Sequence, residues 1–204
     1  LYSRMNGFNS SFANFYGNFL PAASADEYVY GFSSANLDEF KENNLLSSNS
    51  AVNALWEPVY SYIYHANAVL EGLTNNTSVS APVQRQLMGE ARFIRAFCYF
   101  YLVNYFGDVP LVLDTDYKKN TSAPRTGIGE VYAAIITDLT SAQADLSDAY
   151  PTAERTRVNK AAATLLLART YLYRQQWAQA EAEASKVIGD VRYSLLTDLN
   201  AVFL

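Results

Sequence analysis

The sequence predicts an all-α protein made of antiparallel helix pairs. Three observations predict it. Apolar residues recur in several windows at three- and four-residue spacing, as on one face of a helix. No segment shows the two-residue alternation of a half-buried strand. The segment 159–189 carries the spacing of a helix-turn-helix repeat.

In chain order, Phe8 to Phe19 read as a short helix ended by Pro21. Asp26 to Ser34, "DEYVYGFSS", reads as a loop rich in exposed or half-exposed aromatics. The next helix is marked by Val52, Leu55, Val59, Tyr62, Ile63, Ala66, Val69, Leu70 and Leu73. Pro58 either kinks this helix or marks its true start, because proline removes a donor and crowds the preceding turn. "TNNTSVSAP" is a turn, with Ser80 as N-cap and Pro82 in the first helical turn.

The long helix runs from about Pro82 to Phe106. Between Ala91 and Phe106 only Arg92, Arg95 and Asn104 are clearly polar. A helix apolar on most sides must be covered on most sides, so this one belongs inside a stack. It is too short to span a bilayer, which needs about 20 residues, and it carries two arginines. The arginines are one turn apart and share a side. A charge in so apolar a setting needs a partner, and Asp138 or Glu27 is expected to meet Arg95. Gly107 suits the C-cap, and Pro110 stops the helix from resuming. "VPLVL" reads as a short extended piece and "DTDYKKNTSAPRTG" as a surface loop.

A fourth helix spans Ile128 to Ser147, with Gly127 and Glu130 placed like the ends of a capping box. A fifth begins near Asn159, and a sixth, "WAQAEAEASKVI", follows at once and ends at Gly189. In this last pair Leu167, Ala168 and Tyr171 precede Gln175, Trp177, Ala180, Ala184 and Val187. These are the offsets of a tetratricopeptide repeat, except that Gln175 stands where glycine is commonest. Ala168 permits close approach, and Trp177 and Ala180 are expected to pack across the pair. Such a unit leaves an apolar face that must stack on a neighbour. The fold expected is therefore antiparallel helix pairs stacked as tetratricopeptide-like repeats, with long irregular loops.

Composition narrows the function. The 204 residues are 50% apolar and 17% charged, which fits a packed core. Net charge is −5 and no stretch concentrates Lys and Arg, so the footprint of nucleic-acid binding is absent. The single cysteine, Cys98, lies in the long helix and has no internal partner. The single histidine, His65, excludes paired-histidine metal motifs. There is no nucleophile elbow and no phosphate loop, and Gly127-x-Gly129 lacks its third glycine. Asp114 and Asp116 do not continue into a calcium loop and read as solvated acids. No catalytic residue, metal ligand or cofactor site is indicated, so no enzyme is expected.

Several signatures in order resemble the SusD/RagB family of surface-exposed outer-membrane lipoproteins of Bacteroidetes. They are "SADE" at Ser24–Glu27, "LWEPVYSYIYHANAVLEGL", "GEARFIRAFCYFYLVNYFGDVPLV", "GEVYAAIITDLTSAQADL" and "RVNKAAATLLLARTYLYRQQWAQAEAEASKVI". The resemblance covers nearly the whole chain and only the N-terminal part of such a protein. It implies one helical domain over 1–204, part of a longer chain, with 159–189 as the clearest repeat unit. It also implies binding of a glycan, or in some members a peptide, at the cell surface, and delivery to a SusC-type TonB-dependent transporter. The lipid-bearing cysteine would lie upstream of Leu1, which is not an initiator methionine.

Binding loops of the family follow no motif. The local candidates for ligand contact are Tyr28, Tyr30 and Phe32, since sugar C–H faces stack on aromatic rings. Trp56 and Trp177 match scaffold positions. A helical-repeat module that binds protein is the alternative reading.

Overall fold

The structure, a computed structural model, describes residues 2–5, 12–28, 31, 34–198 and 200. Among these, α1 (Tyr2–Met5), a π-helical turn (Phe12–Tyr16), α2 (Gly17–Ser24), α3 (Ala35–Lys41) and α4 (Ser50–Ala54) form an irregular first quarter. The regular part follows: α5 (Glu57–Leu73), α6 (Ala81–Phe106), the short α7 (Tyr117–Asn120), α8 (Ile128–Asp145), α9 (Lys160–Tyr173) and α10 (Trp177–Ile188). The long helices pack in order: α5 on α6, α6 on α8, α8 on α9, α9 on α10. This is the predicted all-α stack of tetratricopeptide-like pairs.

Pro58 marks a true helix start, in the first turn of α5, where a missing N–H is harmless. Pro21 behaves otherwise. It was expected to end its helix, yet it lies inside α2. Its missing N–H would have served the Gly17 carbonyl four residues back. That carbonyl instead accepts the Tyr105 hydroxyl from α6, at 2.6 Å. A side chain 84 residues further on supplies the donor that proline removed. The proposed start near Phe8 lies outside the described residues.

α6 is buried from Gly89 to Val103 on several faces. At Gly89 it meets α8 so closely that an added Cβ would lie 2.8 Å from Leu146 Cγ. Arg95 makes the expected pair with Asp138: Nε donates to Oδ2 at 2.8 Å and Nη2 to Oδ1 at 2.7 Å. Arg92 pairs with Asp145. Helix α6 runs from 92 to 95 as α8 runs back from 145 to 138, which is the antiparallel arrangement. On the far side Glu90, also buried, takes a fork from Arg157 at 3.1 and 2.6 Å.

Gly107 ends α6 with φ +70° and ψ −127°, a conformation that costs residues other than glycine. The exit was expected to be a plain extended piece and a loop. It holds more order. β1 (Val109–Pro110) pairs antiparallel with β2 (Arg125–Thr126), and α7 sits between them, capped by Asp116. Asp114 accepts from Lys119 Nζ at 2.6 Å, and this bond holds its carboxyl below the usual range. The expected Gly127–Glu130 capping box is not formed by side chains. Asp108 Oδ1 instead accepts from Ile128 N at 3.0 Å, so α8 is capped across the β-pair.

The α9–α10 turn fits the repeat: Ala168, Ala180 and Val187 are buried. Trp177 corrects the sequence reading, for it is 60% exposed. Side chains of a helix lean over the turn that precedes them. As the first residue of α10, Trp177 has no preceding turn to lie on and projects from the stack.

Candidate functional site

The polar groups buried within the stack serve the scaffold. Arg95 Nη1 donates to Asn67 Oδ1 at 2.7 Å, and Asn67 Nδ2 donates to the carbonyls of Val112 and Asp114 at 3.1 and 3.0 Å. Tyr60 donates to the Pro110 carbonyl at 2.8 Å. Tyr99 donates to the Val112 carbonyl at 2.9 Å and accepts from Val112 N at 2.6 Å. Together they clamp residues 110–114 onto α5 and α6. Burial pushes the hydroxyls of Tyr60 and Tyr99 and the thiol of Cys98 up from their ordinary range, so all three stay neutral. Among the described residues no group of His, Cys, Asp or Glu could hold a metal ion, and no helix is long and apolar enough to cross a membrane.

The surface aromatics form a different arrangement. Phe15 and Phe19 are four residues apart, share one helix face and stack, with centroids 4.8 Å apart and planes 14° apart. α2 then ends in a left-handed turn at Asp26 (φ +59°). Glu27 N donates to the Ala22 carbonyl and Asp26 N to that of Ala23. This pairing is a Schellman motif, which aspartate tolerates better than most residues. The turn brings Tyr28 back over the helix. Its ring lies on Phe19, 5.9 Å between centroids and 16° between planes, and it is 51% exposed.

Three near-parallel rings therefore lie in a row beside α2. Of the predicted contacts, Tyr28 is at the end of this row. Tyr30 and Phe32 lie outside the described residues. The sequence reading missed Phe15 and Phe19 as companions of Tyr28. Their four-residue spacing in "NFYGNF" was the available signal. Glu27, the other acid considered for Arg95, is exposed and makes no ion pair among the described residues.

A stacked-helix scaffold, with its charges paired within and aromatic rings in a row on its surface, is the build of a helical-repeat protein. The comparisons make this specific. Residues 11–172 match the model of a SusD-like family described as starch-binding and associating with the outer membrane. The chain belongs to this SusD-like family. It is 30% identical over 154 residues to SusD-like protein P25 of Formosa agariphila, covering 75% of this chain and 29% of that protein. It is 35% identical over 140 residues to the starch-binding protein SusD of Bacteroides thetaiotaomicron, covering 66% of this chain and 23% of that one. Among solved structures, a laminarin-binding SusD-like protein superposes with a TM-score of 0.87 at 26% identity, over 99% of this chain and 45% of the other. A SusD-like carbohydrate-binding protein of Bacteroides fragilis gives 0.71 at 28% identity, over 78% and 31%. The chain thus spans under a third of the length of these curated relatives and under half of these solved ones.

Proposed function

We propose that this chain is the helical part of a surface protein that binds glycan at the outer membrane and delivers it to a SusC-type TonB-dependent transporter. The observation that carries the reading is the exposed aromatic row on a scaffold of this family. A ring face offers the apolar C–H side of a sugar a large, rigid contact. Tyr28 has one face on Phe19 and is half exposed, and in this reading Tyr30 and Phe32, close to it in sequence, are further ligand contacts. In this reading residues 1–204 are one helical domain of a longer, lipid-anchored protein, and the role is binding, not catalysis. The starch-binding and laminarin-binding relatives support a glucan as the first ligand to try.

Calorimetry on the full-length protein tests this, with oligosaccharides from starch and laminarin and with unrelated peptides. Glycan binding is expected, weakened roughly 3- to 10-fold by Tyr28→Ala, as for loss of one aromatic contact. Binding of peptide alone, with no glycan bound, would overturn the reading. Co-purification with an outer-membrane transporter tests the delivery step.

A further inference from the structure

We infer that the glycan has a second contact in a cleft between α2 and the C-terminal ends of α6 and α9, where Arg169 donates and Glu27 accepts hydrogen bonds to the hydroxyls of a neutral sugar. The inference rests on the glycan-binding reading above. The cleft encloses about 420 Å³, within the size of small-molecule sites. α2 and the turn after it supply Asn18 and Glu27, α6 supplies Tyr101 and Tyr105, and α9 supplies Arg169 and Tyr173.

Arg169 lies against aromatic rings. Its guanidinium carbon lies 5.3 Å from the centroid of Phe100 and 5.6 Å from that of Tyr173. Among the described residues no carboxylate pairs with it. Arg92, Arg95 and Arg157, in contrast, are each tied to an acid. A guanidinium carries five donors in a fixed fork, and among the described residues Arg169 bonds only to tyrosine hydroxyls, Tyr173 at 3.5 Å and Tyr101, which leaves donors for a ligand. Glu27 lines the same cleft, and its carboxylate makes no ion pair among the described residues. A cation and an acid that share a cleft without pairing offer donor and acceptor together, which is what the hydroxyls of a sugar need. The acid also disfavours an anionic sugar, by like-charge repulsion.

The walls are fixed in advance. Tyr105 ties α6 to α2 through the Gly17 carbonyl. Asn104 is spent on the Phe100 carbonyl and on Tyr132, and so serves as wall. Phe19 of α2 stacks on Phe15 of the preceding π-helical turn, and Asn18 and Ala22 of α2 line the cleft, so a chain of sugars crossing α2 would meet both the aromatic row and the cleft.

The test is calorimetry on the full-length protein with two neutral probes, a laminarin oligosaccharide and a malto-oligosaccharide, and one anionic probe, an oligogalacturonate. Arg169→Met keeps an apolar stem over Phe100 and removes the donors. Glu27→Gln keeps the shape and removes the charge. Expected is binding of a neutral probe, weakened about tenfold by Arg169→Met and less by Glu27→Gln, with unfolding temperatures unchanged. Wild-type affinity in both variants would overturn this site and leave the glycan-binding reading standing, and so would tighter binding of the anionic probe. No binding of either neutral probe by the wild type would remove the reading and the site together.

Discussion

Helices α6 and α10 both carry regular apolar spacing, yet they end in opposite surroundings. α6 lies between α5 and α8, and ten of its residues are buried. α10 buries only Ala180 and Val187, while Ile188 and Trp177 stand in the open. The difference teaches that a repeat's spacing sets how two helices meet, whereas place in the stack sets how much of each is covered. It also sorts the charges. Around α6 the arginines are clamped by acids, and at the C-terminal half of α9 Arg169 rests on aromatic rings with no carboxylate partner among the described residues.

Five changes would break or sharpen this contrast. The largest effect is expected from Asp138→Ala, which strands Arg95 in a nearly closed site. Removing one partner of a buried pair costs about 3–5 kcal/mol. Urea unfolding followed by circular dichroism should show it, and the double variant Arg95→Met with Asp138→Leu should recover most of it. A loss near zero for Asp138→Ala would mean that α6 is no better covered than α10.

Gly107→Ala should cost about 1–3 kcal/mol by the same measurement, through the strained backbone. Nothing lies within 4 Å of the added Cβ, so no clash contributes. Alkaline pH should weaken the α6 region next. Burial raises the Tyr99 hydroxyl, so above pH ~10 an unfolded tyrosine releases its proton while the folded one keeps it. The folded state then binds more protons, and stability falls as pH rises, by about 1.4 kcal/mol per pH unit from Tyr99 alone. Tyr99→Phe should flatten that slope in a pH series of unfolding curves.

Two smaller effects belong to the α9–α10 side. Gln175 holds φ +57° in the turn between them. Gln175→Gly relieves a left-handed residue and should stabilise by about 1 kcal/mol, read as a higher unfolding midpoint. Trp177→Ala should change the stability of these 204 residues by no more than about 0.5 kcal/mol, as at other open surface sites. A loss of several kcal/mol in the longer protein would show that further chain covers this ring.

The long helices were legible because each carries its own stripe, caps and breakers. The Arg95–Asp138 pair was legible because a charge in an apolar helix must find an acid, and few were placed to serve. What could not be read depends on distant partners. Pro21 continues a helix because Tyr105 replaces its donor, and α8 is capped by Asp108 because two short strands bring them together. Trp177 followed the repeat spacing, but spacing does not state whether a turn lies beneath it. At the candidate site, Tyr28 was found as an aromatic in a polar loop, while its stacking on Phe19 required the turn at Asp26. Arg169 and Glu27 are 142 positions apart, and no local pattern joins them.

The paired bonds between Tyr99 and Val112 have one more consequence. A phenol here does the job of a neighbouring strand, for it both gives to and takes from the backbone of one residue. The Val112 amide proton is therefore sheltered by a side chain. In a hydrogen-exchange experiment its rate would follow rotation of one ring on α6, even while β1 and β2 stay zipped. A single amide signal becomes a gauge of how tightly the long helix grips its own exit.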